Sequence, residues 1–251
     1  MGSAVHIEMP RDASLDGRVV DGALGYLTIA GAISFGVMLV ILLGAVLFHR
    51  ERGGRRRAFY THGDHARQRL LTLAVGLVMF LAVDAVLAVR AGGALRARFW
   101  RYPEGDPAAV RVEVTARQWA WTFRLPGPDG RFGTTDDVVT LGELHVPVGR
   151  PVYLKLRSKD VVHSLYLPNF RTKIDAVPGS TTRLWFQAEE VGRYEIGCAQ
   201  HCGVGHYKMR GELYAEPPDE HAAWLERAAA DARLRYDPAD ADAHDGWEWG
   251  S

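Results

Sequence analysis

The chain has 251 residues, 47% of them hydrophobic, and its 30 basic and 30 acidic side chains leave a formal net charge of zero. That length admits a membrane anchor plus one globular domain. The balanced charge excludes the overall basic excess on which a nucleic-acid partner would draw.

Residues 1–22 include Arg11, Asp12, Asp16 and Arg18 and lack the basic start and short apolar core of a cleaved signal peptide, so the span that follows is expected to be retained. From Ala23 to Phe48 the chain is almost free of charge and long enough to cross a bilayer. A second apolar run, Leu70 to Val89, is broken only by Asp84. Asp84 reads as a residue near the helix end that reaches the interface, with a hydrogen bond to a partner subunit as the alternative. Between the spans lie Arg50, Arg52, Arg55, Arg56 and Arg57, followed by Arg67 and Arg69. So basic a loop is expected on the cytoplasmic side, against lipid headgroups and not nucleic acid, which places both chain ends outside.

From Val110 onward the pattern changes to the alternation of β-strands: 110–115, 119–123, 152–156, 182–186, 193–196 and 211–214, separated by Pro and Gly turns. Short strands at this spacing predict a sandwich. Residues 129–137 hold Asp129, Asp136 and Asp137 and read as a hairpin connection, since their spacing fails the calcium-loop template; a role in attracting a basic partner is a minor alternative. After Pro217 and Pro218 a helix is expected over Asp219–Arg235, then an acidic disordered tail, 236–251. The expected organisation is an outer N-terminal segment (1–22), a transmembrane helical hairpin (23–95), a β domain (96–216), and a C-terminal helix with its tail (217–251).

The chemistry concentrates in one short stretch, where Cys198, Cys202, His206 and Met209 gather the only two cysteines with imidazole and thioether. These soft ligands suit copper better than calcium, magnesium or a catalytic zinc. Two thiolates can bridge two copper ions and spread one electron over the pair. A second imidazole is then needed, and His163, which follows a strand-like run, is the candidate. A Cys198–Cys202 disulfide, a zinc knuckle and a buried thiol pair are the competing readings. Cys-x-x-Cys-His is absent, so no covalently attached haem c is expected.

The order His163, Cys198, Cys202, His206, Met209, with residues 173–179 between the ligand segments, resembles cytochrome c oxidase subunit II. The resemblance implies a membrane-anchored all-β protein in which a two-helix transmembrane hairpin is followed by a cupredoxin-like Greek-key β-sandwich. It implies a binuclear copper centre, CuA, bridged by Cys198 and Cys202. His163 and Met209 complete one copper; His206 and the backbone carbonyl of Gln200 complete the other. Trp119, in the stretch Gln118 to Trp121, takes the position where that family accepts an electron from cytochrome c. Strand alternation alone would instead put Trp119 and Trp121 together in the core. The implied partners are the catalytic subunit I, subunit III, and cytochrome c or another small redox protein. The implied location is the bacterial plasma membrane, with the copper domain on the periplasmic side. A copper-bearing nitric oxide reductase subunit and a membrane-tethered copper carrier are the alternatives. Where the family commonly has Glu between the cysteines and uses it to reach magnesium, this chain has Gln200, so the resemblance does not extend to that magnesium site. The family's proton-uptake pattern at the start of the second helix is also missing. His201 is an extra imidazole, read as a solvent or interface residue.

Overall fold

A computed structural model of the chain describes residues 9–48, 63, 65–94, 96 and 99–235. The expected acidic tail and most of the Arg-rich loop lie outside the described residues. The chain separates into two compact units, Val19–Arg98 and a second formed by Met1–Arg18 with Phe99–Ser251.

The first unit is helical. Helix α1, Gly17–Phe48, has 32 residues, about 48 Å at 1.5 Å per residue. The second run comprises α2 (Ala66–Met79), a π-helical stretch (Phe80–Ala85) and α3 (Val86–Ala94). Both runs are long and apolar enough to cross a membrane, and nearly all of their Leu, Ile, Val and Phe side chains face outward. That is the arrangement expected where lipid is the solvent. Widening a helix to the π form misaligns its carbonyls, and the Tyr26 hydroxyl of α1 donates to one of them, Ala82 O. Asp84 lies in the same stretch and is exposed. Because α3 continues to Ala94, Asp84 is not near the helix end, contrary to the expectation from the apolar run alone.

The second unit is a two-layer β-sandwich. Its strands are β1 (Val110–Arg117), β2 (Ala120–Leu125), β3 (Val138–Leu141), β4 (Glu143–Pro147), β5 (Pro151–Ser158), β6 (His163–Leu167), β7 (Thr172–Ala176), β8 (Thr182–Gln187), β9 (Gly192–Cys198) and β10 (Arg210–Glu216). One sheet has the order β3-β2-β1-β5-β8, the other β4-β10-β9-β6-β7. β1 runs parallel to β5 and β4 to β10; the other pairs are antiparallel. Period-two alternation turns Val112, Val114 and Ala116 of β1, Leu154 and Leu156 of β5, Leu165 of β6, Ile196 of β9 and Leu213 of β10 into one buried core.

On its other face β1 carries Glu113, opposite Arg124 of β2 in the register. Arg124 donates to Glu113 Oε2 at 2.9 Å and from Nε to Asp137 Oδ2 at 2.7 Å, and all three side chains are buried. Burial pushes the Glu113 carboxyl up to about 8 in spite of Arg124. The 126–137 connection, a hairpin between antiparallel β2 and β3, covers this ion group and lays Phe132 against Arg124, 5.6 Å from ring centroid to guanidinium. Two of its acids point inward: Asp137 binds Arg124, and Asp136 binds Arg233 of α4 at 3.1 Å. Asp129 is exposed and accepts the Arg131 backbone N–H at 2.8 Å.

Helix α4, Pro218–Arg235, starts with proline in the first turn, where its missing N–H costs nothing. It packs Trp224, Leu225 and Ala228 on the core. Beneath it His145 is stacked between Tyr214 and Trp224, with centroids 4.5 and 4.1 Å away, and its Nδ1 lies 2.9 Å from Glu216 Oε1. His221 is buried beside them, and burial pulls its pKa down.

The segment before α1 is part of the sandwich unit. Ser14 forms an antiparallel bridge with Ala188, Ala13 N–H donates to Asn169 O, and Glu189 N–H donates back to Ala13 O, each at 2.9 Å. Ser14 Oγ then accepts Gly17 N–H at 2.9 Å, capping α1.

Candidate metal centre

Two segments distant in sequence meet at one end of the sandwich. His163 opens β6, and its neighbour Leu165 pairs with Cys198, the last residue of β9. The chain then leaves the sheet over 199–209 and returns as β10, where Arg210 pairs with Gly197. Both legs of this excursion are thus fixed by ladder bonds, and Ala199 N–H donating to Ser164 O at 2.9 Å ties its root to β6. A short 3₁₀ turn over His206–Lys208 folds it so that Met209 points inward.

The result is a cluster of donor atoms. Cys198 Sγ and Cys202 Sγ are 3.8 Å apart, Cys202 Sγ is 3.5 Å from His206 Nδ1 and 3.8 Å from Met209 Sδ, and His163 Nδ1 is 3.1 Å from Met209 Sδ. The carbonyl oxygen of Gln200 is 3.2 Å from Cys198 Sγ. A disulfide needs sulfurs about 2.05 Å apart, and both thiols are free. Sulfurs sharing an ion through bonds of about 2.3 Å at a tetrahedral angle stand about 3.8 Å apart, which is the spacing found. Among the described residues, His163, Cys198 and Cys202 are the one group of His, Cys, Asp and Glu donors close enough to hold a metal ion together. Thioether, thiolates and imidazoles fit copper; zinc has no use for the buried Met209.

The surroundings orient these donors. Asp160 Oδ1 lies 2.8 Å from His163 Nε2, which assigns the ring proton to Nε2 and leaves the Nδ1 lone pair facing the sulfurs. Burial works against ionisation of Asp160, but hydrogen bonds from His163 and from the N–H groups of Gln118 and Val161 outweigh it and hold the carboxyl below the usual range. Burial, with Cys198 beside it, pushes the Cys202 thiol up to about 11, so a metal must displace a proton there. Ser164 contributes through its carbonyl, not its hydroxyl.

Trp119 and Trp121 do not share a face. Trp121 is fully buried in β2, edge-on to the His163 ring with centroids 6.1 Å apart, whereas Trp119 is 38% exposed. The β1–β2 turn accounts for this: Trp119 lies between Arg117 and Ala120, which close the ladder, so strand alternation does not apply to it. Its indole N–H donates to Cys202 O at 3.2 Å, and its ring lies on Gly205, where an added Cβ would come within 2.3 Å of Trp119 Cδ2. His201 is exposed, its ring 5.6 Å from that of His206 and among none of the donor contacts above. Gln118 and Gly205 also belong to this site and carry no motif of their own; the signals in sequence are their directly adjacent neighbours, Trp119 and His206.

The chain is similar to known proteins over most of its length. Residues 110–212 match the family described as cytochrome c oxidase subunit II, periplasmic domain. The alternative cytochrome c oxidase subunit 2 of Bradyrhizobium diazoefficiens is 34% identical over 229 residues, covering 82% of this chain and 78% of that one. Cytochrome c oxidase subunit 2 of Thermostichus vulcanus is 32% identical over 235 residues, covering 91% and 68%. A solved periplasmic domain of subunit II of the Bradyrhizobium japonicum oxidase aligns with a TM-score of 0.44 at 26% identity, over 49% of this chain and 94% of that one. The cytochrome bo(3) ubiquinol oxidase subunit 2 of Pseudomonas putida also matches, at 24% identity over 77% of this chain and 60% of that one.

Proposed function

Because the chain belongs to the cytochrome c oxidase subunit II family, and so is a subunit of a haem-copper terminal oxidase complex, we propose that it accepts electrons from a soluble cytochrome c at a copper pair. It passes them to haem in the catalytic subunit, where oxygen is reduced. The observation that carries this reading is the convergence of two thiolates, two imidazoles, a thioether and a carbonyl on one spot. A single four-coordinate ion would leave two of these six donors unused. Two ions sharing both sulfurs, each with one imidazole and one weak ligand, use all of them.

Bound copper supplies a one-electron store whose charge change is shared by two ions. The chain's own residues supply the rest. Cys198 and Cys202 would hold both ions, with His163 and Met209 on one side and His206 and the Gln200 carbonyl on the other. The sandwich holds them still between redox states, because both legs of the loop and the root of β6 are ladder-bonded. Asp160 fixes the His163 tautomer. Trp119 offers a donor protein an exposed ring that is hydrogen-bonded to the Cys202 backbone, a short route from surface to metal ligand. Magnesium is not part of the proposal: Gln200 offers a neutral amide where that ion favours an anionic oxygen.

The same reading places the sandwich on the outer face of the plasma membrane, beside the catalytic subunit and subunit III. Residues 10–16 dock on the sandwich, which supports placing the chain start on the same side as the β domain, as the Arg-rich loop does by the positive-inside rule. The test is turnover by the purified complex. Oxygen consumption is expected with reduced cytochrome c as donor. Turnover with quinol alone would assign a quinol oxidase, reduction of nitric oxide but not oxygen a nitric oxide reductase, and a chain that purifies without any haem subunit a copper carrier.

A further inference from the structure

Ladder bonds explain how the root of the ligand excursion is held, but not how its far side is held. Cys202 to Gly205 have no strand partner in β6, β9 or β10. What reaches them comes from the opposite sheet, from the turn between β1 and β2. Gln118 Nε2 donates to Cys202 O at 2.8 Å, shorter than the 3.2 Å contact from Trp119 to the same oxygen. Gln118 also faces the other ligand segment, because its backbone N–H donates to Asp160 Oδ2 at 2.6 Å while Asp160 Oδ1 holds His163 Nε2 at 2.8 Å. One residue therefore touches both ligand-bearing segments, by its main chain on the histidine side and by its side chain on the thiolate side. The loop is shaped to receive it. Gly203 has φ +116, a conformation that side chains rarely adopt, and a Cβ there would come within 2.9 Å of Gln118 Nε2.

Building on the copper-pair reading, we propose that Gln118 is a positioning residue that registers the Cys202 arm of the excursion against His163, so that the shared-sulfur geometry exists before copper arrives. It does not touch the metal. Its side-chain amide and the indole N–H of Trp119 are the donors that hold the Cys202 carbonyl, and the carbonyl holds the backbone of that cysteine. The two halves of the clamp are separable, because substituting the side chain leaves the backbone N–H to Asp160 in place. Gln118→Met removes the amide at nearly constant volume. Gln118→Glu replaces a donor with a carboxylate facing a carbonyl oxygen, which is repulsive.

The experiment uses the full-length chain in detergent, first without metal and then loaded with copper. In the metal-free chain both variants are expected to speed amide hydrogen exchange at His206, Lys208 and Met209, whose N–H groups donate within the excursion, by roughly two- to tenfold, the loss of one net hydrogen bond. Exchange within β5 and β10 is expected to stay as in the parent. In the loaded chain, copper content is expected to be retained, while the electron paramagnetic resonance spectrum broadens into more than one geometry and the reduction potential shifts, more for Glu than for Met. Unchanged exchange at His206, Lys208 and Met209 would overturn the proposal. So would faster exchange spread evenly over both sheets, which would make Gln118 a general stabiliser of the domain. The exchange arm needs no copper, so a parent chain that failed to form a copper pair would contradict the proposed function and leave the clamp separately testable.

Discussion

Gly205→Ala isolates the contact between the copper loop and the exposed indole. Gly205 sits at φ −91 and ψ 6, which alanine adopts without strain, so the backbone contributes little to the effect. The added methyl carbon would lie 2.3, 2.5 and 2.7 Å from Trp119 Cδ2, Cε3 and Cγ. Non-bonded carbons settle at about 3.5–4.0 Å, so the ring must retreat by roughly 1.2 Å or the loop must rise by as much. Either movement takes the Trp119 indole N–H, now 3.2 Å from Cys202 O, beyond hydrogen-bond range. Overpacking of this kind costs about 1–3 kcal/mol, and for a domain of this size each kcal/mol lowers the melting midpoint by about 3 °C. A fall of roughly 3–9 °C is expected in thermal unfolding of the full-length chain. Steady-state oxidation of cytochrome c by the complex should slow while copper content holds. Gly105→Ala is the control, since nothing lies within 4 Å of its added Cβ. A Gly205→Ala chain that melts with its parent and oxidises cytochrome c at the parent rate would refute the reasoning.

Trp119→Ala should slow electron delivery from cytochrome c but spare oxygen reduction from a small artificial donor and the copper spectrum; equal slowing with both donors would mean a damaged fold. Trp121→Ala, which empties a fully buried site, should instead cost about 3–5 kcal/mol of stability, read by denaturant unfolding. Arg124→Met leaves Glu113 and Asp137 buried without their cation, a loss of about 3–5 kcal/mol. A melting midpoint within 2 °C of the parent would contradict that (about 3 °C is expected per kcal/mol). Burial lowers the His221 pKa, so the docked helix favours the neutral ring. Stability is then complete above the unfolded value, about 6.5, and declines as pH falls below it. Glu216, His145 and Arg150 face the same ring and act on its charge. Protection of the α4 amides, taken relative to their intrinsic exchange rate at each pH, should therefore fall as the pH is lowered from 7.5 to 5, and His221→Phe should flatten that dependence.

The donor cluster was legible because the loop is local: Cys198, Cys202, His206 and Met209 fall within twelve residues of sequence, and soft donors at such spacing have few other uses. The surroundings of those donors were not. Asp160 and Gln118 act through hydrogen bonds that exist only once β1, β6 and the loop after β9 come together, and no periodicity encodes them. The two spans were plain from their apolar runs, but α1 starts at Gly17, earlier than the run itself, because Ser14 caps it. Strand β4 buries Leu144, His145, Val146 and Pro147 in succession, and β3 and β7 are only four and five residues long and lie directly against turns, so alternation does not single them out. In β6 the residues His163, Ser164 and Leu165 are all buried, which erases the alternation altogether. For Trp119 the resemblance and the alternation pointed different ways, and the ring is 38% exposed because the alternating pattern runs through a turn, where side chains no longer alternate.

The claim on which the account rests is that two copper ions share Cys198 and Cys202. Electron paramagnetic resonance of the copper-loaded full-length chain, taken at one electron per site, tests it most directly. Hyperfine coupling to two equivalent copper nuclei, with two coppers per chain by metal analysis, is the expected result. Coupling to a single copper nucleus at full loading would contradict the shared-thiolate pair.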